Sequence, residues 1–204
     1  MKQFVIIIPL VFIFSSCAKI FFSDDAIQVA RSHKIIAIVP PTVSIAAGRK
    51  TDAEAIKEQQ RTESLNFQKE IYAWMLKRKM QGKLKQEILD IETTNALLIK
   101  ANYIEKAMSP SEICEALDID GIITSNFSLS KPMSDGAAIA LAVLGAGGGS
   151  TNEVVVSMNI NDCGGKKLIW NYNHKYSGGL GSSPSRLVDA MMRSASKKMP
   201  YLIE

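Results

Sequence analysis

The stretch Ser109–Leu129, SPSEICEALDIDGIITSNFSL, decides the fold class. Ser109 can cap a helix, Pro110 suits its first position, and Glu112 places an acid in its first turn. The helix EICEALD then feeds Asp120-Gly121 and an apolar strand from Ile122 to Leu129. A helix that passes through a short link into a strand is the αβ connection of parallel sheets.

The same logic extends upstream. Lys34–Val39 (KIIAIV) is a continuous apolar run stopped by Pro40-Pro41, which reads as a buried strand ended by residues that cannot continue its ladder. Thr42–Arg49 reads as a connection. Thr51 or Asp52 then caps a long helix running to about Met80, ended by Gly82, with Ile71, Trp74 and Met75 near helical spacing. The first half of that helix is mostly polar and is expected to face solvent or a partner. Lys83–Glu92 (KLKQEILDIE) reads as a strand, and Thr93-Thr94 as the start of a helix over NALLIKANY.

Downstream, Glu153–Asn161 and Lys167–Tyr176 read as two strands joined by a tight turn at Asp162-Cys163-Gly164-Gly165. Ser182 or Ser183 caps a last helix with Pro184 at its start. The order is β-α-β-α-α-β-β-β-α. It implies a single α/β (α+β) domain, a mixed sheet packed by helices.

The chain begins MKQ, then the apolar run FVIIIPLVFIF over Phe4–Phe14, then Ser15-Ser16-Cys17. A basic start, a short apolar run and small residues form a secretory signal, and the run is too short to span a bilayer. Phe14-Ser15-Ser16-Cys17 resembles the lipobox of bacterial lipoproteins, with Phe where Leu is usual. The resemblance implies cleavage before Cys17 and acylation (palmitate included) of that cysteine. The expected organisation is therefore a signal peptide over 1–16, a lipidated tether over 17–33, and the domain over 34–204 with a Gly-rich insertion at 134–150.

Charge excludes little but points away from nucleic acid. There are 24 Lys and Arg against 20 Asp and Glu, and no basic cluster of five. Export permits a disulfide between Cys114 and Cys163. Two lone cysteines are too few for a framework, however, and burial as free thiols is the expected state. His33 and His174 lie at no metal-ligand spacing with a cysteine. No cofactor is expected.

No catalytic signature appears. Gly145–Gly149 (GAGGG) lacks the Gly-Lys-Ser/Thr end of a phosphate loop. Asp118 and Asp120 sit at a helix-to-strand turn where Asp is common. The serines near His174 form no Gly-x-Ser-x-Gly elbow, and His174 is expected on a strand's solvent face. Trp170 and Tyr172 are expected on its buried face. The apolar residues Ala137, Ile139, Leu141, Val143 and Leu144 are candidates for partner or membrane contact, although packing on the domain's own sheet is the simpler reading.

Ser-Ser-Cys17, KIIAIVPP and EICEALDIDGIITS together resemble the fold shared by the curli-secretion channel lipoprotein CsgG, the penicillin-binding-protein activator LpoB and the amino-terminal domain of TolB. Leu168–Tyr172 (LIWNY) and Leu187–Arg193 (LVDAMMR) look similar to stretches of uncharacterised lipoproteins of Bacteroidetes-type bacteria. The resemblance implies a non-enzymatic, lipid-anchored accessory protein of the cell envelope that binds a protein partner or forms homo-oligomers. The alternative is a subunit of an outer-membrane secretion channel or pore. Ala18 and Lys19 lack the Asp that favours inner-membrane retention in enterobacterial lipoproteins, so the outer membrane is the expected site.

Overall fold

The computed structural model describes residues 18–46, 52–103, 105–130, 153–177 and 183–203. A seven-stranded mixed sheet is built around the strand that the opening stretch encodes. In chain order the strands are β1 (Lys19–Phe22), β2 (Ile35–Ile38), β3 (Thr42–Ile45), β4 (Glu87–Ile88), β5 (Gly121–Leu129), β6 (Glu153–Asp162) and β7 (Lys167–Ser177). The helices are α1 (Ala26–Ser32), α2 (Ala53–Met80), α3 (Ile91–Lys100), α4 (Pro110–Leu117) and α5 (Pro184–Ala195). The sheet order is β1-β7-β6-β5-β2-β4, with β3 also paired to β5. Strands β2, β3 and β4 pair in parallel, while β1, β6 and β7 supply the antiparallel half.

Both edges of β5 are occupied. Strand β6 runs antiparallel along its whole length on one side. On the other side β2 pairs with its first third and β3 with its last. Ile38 stands opposite Ile123 and Thr42 opposite Asn126. Four steps along one strand therefore match three along its partner, so the chain carries one extra residue at Pro40-Pro41. An extra residue reverses which face the following side chains occupy. Even positions Ile36 and Ile38 and odd positions Val43 and Ile45 consequently share one core.

That core lies on the face covered by α1, α2 and α5. It contains Phe67, Ile71 and Met75 of α2, Phe127 of β5, Trp170 and Tyr172 of β7, and Leu187, Met191 and Met192 of α5. Phe67 and Phe127 stack with ring centroids 4.0 Å apart. Full burial of each such ring contributes about 1.5–3 kcal/mol. A smaller core on the opposite face joins Ala37, Val39 and Ile122 to Leu98 of α3 and to Ile113 and Leu117 of α4.

The helix signals behave as their chemistry dictates. Asp52 caps α2 by accepting from the Glu54 N–H at 3.0 Å. Ser109 and Glu112 close a reciprocal capping box on α4. Hydrogen bonds from Ser109, then the ion pair with Lys106, hold the Glu112 carboxyl well below the ordinary range, at about 2. Asp118 ends α4 in the left-handed region.

Several expectations are corrected. Residues 18–33 are part of the domain, as β1 pairs with β7 and α1 buries Ala26 and Ala30. The Thr42–Arg49 connection begins with β3. The strand expected over 83–92 shrinks to Glu87–Ile88, because Asp90 caps α3 earlier than the threonines do, accepting from the Thr93 N–H at 2.8 Å. The first half of α2 is not a solvated arm, since Ile56, Glu63, Phe67 and Gln68 are buried. His174 shares the core-facing parity of Trp170 and Tyr172 and meets the Tyr176 ring edge-on at 4.4 Å. Burial lowers its pKa.

Cys114 of α4 and Cys163 of the β6–β7 turn form a disulfide, with Cα atoms 5.4 Å apart. The expectation of free thiols fails because the turn places Cys163 over the end of α4, which the linear spacing does not reveal. The bridge closes a loop across a sequence separation of 49. Restricting a loop of that length in the unfolded chain is worth about 4 kcal/mol on the chain-entropy account. Reduction, or the Cys114→Ser/Cys163→Ser pair of changes, should lower unfolding free energy by about 2–4 kcal/mol. Urea titration with and without reductant measures it, and equal midpoints would contradict the assignment.

Candidate functional site

Two polar constructions stand out, one at a notch in the sheet edge and one at the end where β5 begins.

The notch follows from the broken strand. Prolines donate no backbone hydrogen bond, and β4 is two residues long, so this edge of the sheet is left open beside Pro40-Pro41. Polar residues of α2 satisfy the freed carbonyls. The Ser64 hydroxyl donates to the Pro41 carbonyl at 2.6 Å, and the Gln68 amide donates to the Ile38 carbonyl at 2.8 Å. Gln68 also exchanges hydrogen bonds with Asn95 of α3 at 2.9 and 3.0 Å. The polar texture of this half of α2, which suggested solvent, is the chemistry of a broken edge. A cavity of about 970 Å³ lies there. Pro40, Leu65, Leu98, Ile99, Tyr103 and Met108 supply its apolar lining, and Lys57, Arg61 and Lys106 alternate with Glu54, Glu58 and Glu105 on its rim. Burial raises the Tyr103 pKa.

The second construction joins three distant segments. His33 Nε2 meets Asp162 Oδ1 at 2.9 Å, and His33 Nδ1 meets the Tyr201 hydroxyl at 2.8 Å. All three side chains are buried. Burial, then the neighbouring Asp162 and Asp120 carboxylates, pushes the Tyr201 phenol far above its ordinary range. Asp162 Oδ2 also accepts the Gly165 N–H at 2.7 Å, shaping the hairpin turn. Beside it, Asp120 Oδ2 accepts the N–H groups of Lys34 and Ile35 at 2.7 and 2.8 Å. Its own burial would raise its pKa, but these donors and nearby positive charge outweigh that and lower it. A shallow cavity of about 390 Å³ adjoins, lined by Ser32, Ser111, Asp118 and the disulfide among others.

The chemistry of this cluster is positional. Both nitrogens of His33 are engaged, by a phenol and by a carboxylate, and the Ser32 hydroxyl donates instead to the Val29 carbonyl at 2.7 Å. Among the described residues no serine or cysteine nucleophile is hydrogen-bonded to the imidazole. Among them, too, no group of three His, Cys, Asp or Glu is arranged to hold a metal ion. The cluster pins the carboxy-terminal Tyr201, the end of α1 and the hairpin onto the start of β5. Sequence reasoning missed it because residues 33, 162 and 201 carry no local pattern. The cluster closes over Gly121, where an added Cβ would strike the Tyr201 hydroxyl and the His33 ring.

Asp118 and Asp120 serve the turn, as expected, and Trp170 and Tyr172 are buried. Cys17 and the contact candidates Ala137, Ile139, Leu141, Val143 and Leu144 lie outside the described residues, as do Gly145–Gly149 and Ser182. The described chain still locates their exits. Strand β1 starts, β3 and β5 end, β6 starts and β7 ends at one end of the sheet, with Ile45 opposite Leu129, Leu129 opposite Val154, and Val154 opposite Tyr176. The His33 cluster is at the other end. Cys17 precedes Lys19, the first residue of β1, by two positions in the sequence.

No protein-family model matches the sequence, and no curated protein sequence matches it. Solved structures similar to the chain include the PelC dodecamer from Paraburkholderia phytofirmans, at 8% identity and TM-score 0.43, covering 93% of this chain and 99% of that one. Lipoprotein GNA1162 from Neisseria meningitidis is 12% identical with TM-score 0.44, covering 81% and 97%. The LpoB C-terminal domain from Salmonella enterica is 9% identical with TM-score 0.35, covering 70% and 82%.

Replacing Gly121 by Ala should destabilise the chain by about 1–3 kcal/mol, the usual cost of overpacking. A chemical denaturation midpoint reads the loss. Pairing it with Tyr201→Phe should not recover it, because the His33 Nδ1 still lies 2.5 Å from the added Cβ and loses its hydroxyl partner.

Proposed function

We propose that this chain is a lipid-anchored, non-enzymatic accessory protein of the cell envelope, and that it works by binding a protein partner. The observation that carries the reading is Phe4–Cys17, a short apolar run ending in small residues and a cysteine, followed after one residue by folded chain. The disulfide supports it independently, because such bridges persist in oxidising compartments. Acyl chains on Cys17 give firm anchoring, as each buried methylene adds about 0.8 kcal/mol. The outer membrane is the leading location.

The partner's seat in this reading is the notch. It is open, apolar at its floor and charged with both signs at its rim, which suits a protein segment better than a small metabolite. Among the described residues no helix is long and apolar enough to cross a membrane.

Fractionation of cells carrying Cys17→Ser tests the anchor. The variant should move from the membrane to the soluble or uncleaved fraction, whereas an unchanged distribution would contradict anchoring through Cys17. Cross-linking in the same cells tests the seat. Ile99→Asp with Arg61→Glu should lose the cross-linked partner without loss of protein, and a partner retained at full yield would remove the notch from the proposal.

A further inference from the structure

The edge strand next to the anchor carries two aromatic side chains that the fold leaves uncovered. Phe21 is 49% exposed and Phe22 is 36% exposed. Phe21 stands opposite Asn171 and Phe22 opposite Trp170, so they point to opposite faces of the sheet. Lys19 shares the face of Phe21 and is exposed. A partner that covered one face of the sheet would bury one ring and leave the other in water. Only a surface that approaches β1 from its edge can cover both.

Distance selects that surface. Acylation would fix Cys17 at the boundary between headgroups and hydrocarbon, and Lys19 follows within about 7 Å. Phe21 and Phe22 come about 7–10 Å further along the strand. The headgroup region is itself only about 5–8 Å deep on each side of the bilayer. If β1 stood upright on the membrane, both rings would be carried out into water. If it lies along the surface, both rings enter the interface, the usual place for an amphipathic aromatic edge, and the Lys19 ammonium meets lipid phosphate. A strand edge so placed also finds headgroup and water partners for its unpaired backbone groups.

We infer that the outer edge of β1, with Lys19, Phe21 and Phe22, is a membrane-contact surface that lays the sheet edge-on against the bilayer and fixes the domain's orientation. The inference rests on the anchoring reading above. It assigns β1 a role that a flexible tether could not have. It also turns the opposite edge, where Pro40-Pro41 open the notch, away from lipid and toward a partner.

The test uses the mature acylated protein in vesicles of phosphatidylethanolamine and phosphatidylglycerol. A nitroxide is attached at Asp24→Cys beside the strand, or at Ser44→Cys on the opposite edge. Flotation first reports whether the protein is on the vesicles, and wild-type protein that fails to float overturns the anchoring reading and this inference with it. For floating protein, the label at position 24 should show the oxygen accessibility of the lipid interface and the label at 44 that of water. The double change Phe21→Ser/Phe22→Ser should return the label at 24 to water while flotation persists. Floating protein whose label at 24 is as water-exposed as that at 44 overturns the inference and leaves the anchor intact. Dipolar broadening between labels at 24 in detergent overturns it too, because β1 would then pair with a second copy.

Discussion

Strands β2, β3 and β6 all pair with β5, and the start of β5 is packed as it is only because residue 121 has no side chain. At that position the His33 ring and the Tyr201 hydroxyl occupy the space a Cβ would need. The carboxy terminus, the end of α1 and the β6–β7 hairpin close over the same point, through one imidazole that meets Tyr201 and Asp162 at once. The Cys114–Cys163 bridge locks the neighbouring turn to α4. Polar groups removed from water are costly unless paired. This cluster is paired throughout, so it stabilises a particular arrangement of segments that lie far apart in the chain.

The edge of β5 that faces β2 and β3 is built differently. There the adjacent strand breaks at two prolines, and one extra residue reverses its side-chain parity. The break costs backbone hydrogen bonds, which Ser64 and Gln68 of α2 restore. The same break opens the notch. One end of the molecule is thus closed by design of its side chains, and the opposite edge is left open by the backbone.

What was legible from residues follows from this division. The cap of α2, which the sequence narrows to Thr51 or Asp52, the start at Ser109, the α4–β5 unit and the final hairpin all depend on neighbours in sequence and are legible there. Strands β1 and β3 are not, because four residues such as KIFF or TVSI carry too little alternation, and only pairing with β7 or β5 makes them strands. Polar residues in the first half of α2 looked solvated because their acceptors are carbonyls some 20 to 30 residues away. The His33 cluster is invisible in the sequence, and the Cys114–Cys163 bridge is permitted there without being the expected state, for the same reason: their partners meet only in the folded chain. The apolar contact candidates at 137–144 were a sequence reading, and they lie beyond the described residues.

Function enters through the first strand. On the proposed reading, in which Cys17 carries lipid, a sheet that begins two residues later is held at the membrane without a leash, and its orientation becomes part of its chemistry. The account therefore depends most on what happens at Cys17. The intact mass of the mature protein, extracted from its own membrane, tests this directly. The prediction is a mature chain that begins at Cys17 and carries a diacylglyceryl group, with or without a further acyl chain on its amino terminus. A mature chain that starts elsewhere, or that carries an unmodified Cys17, would contradict it.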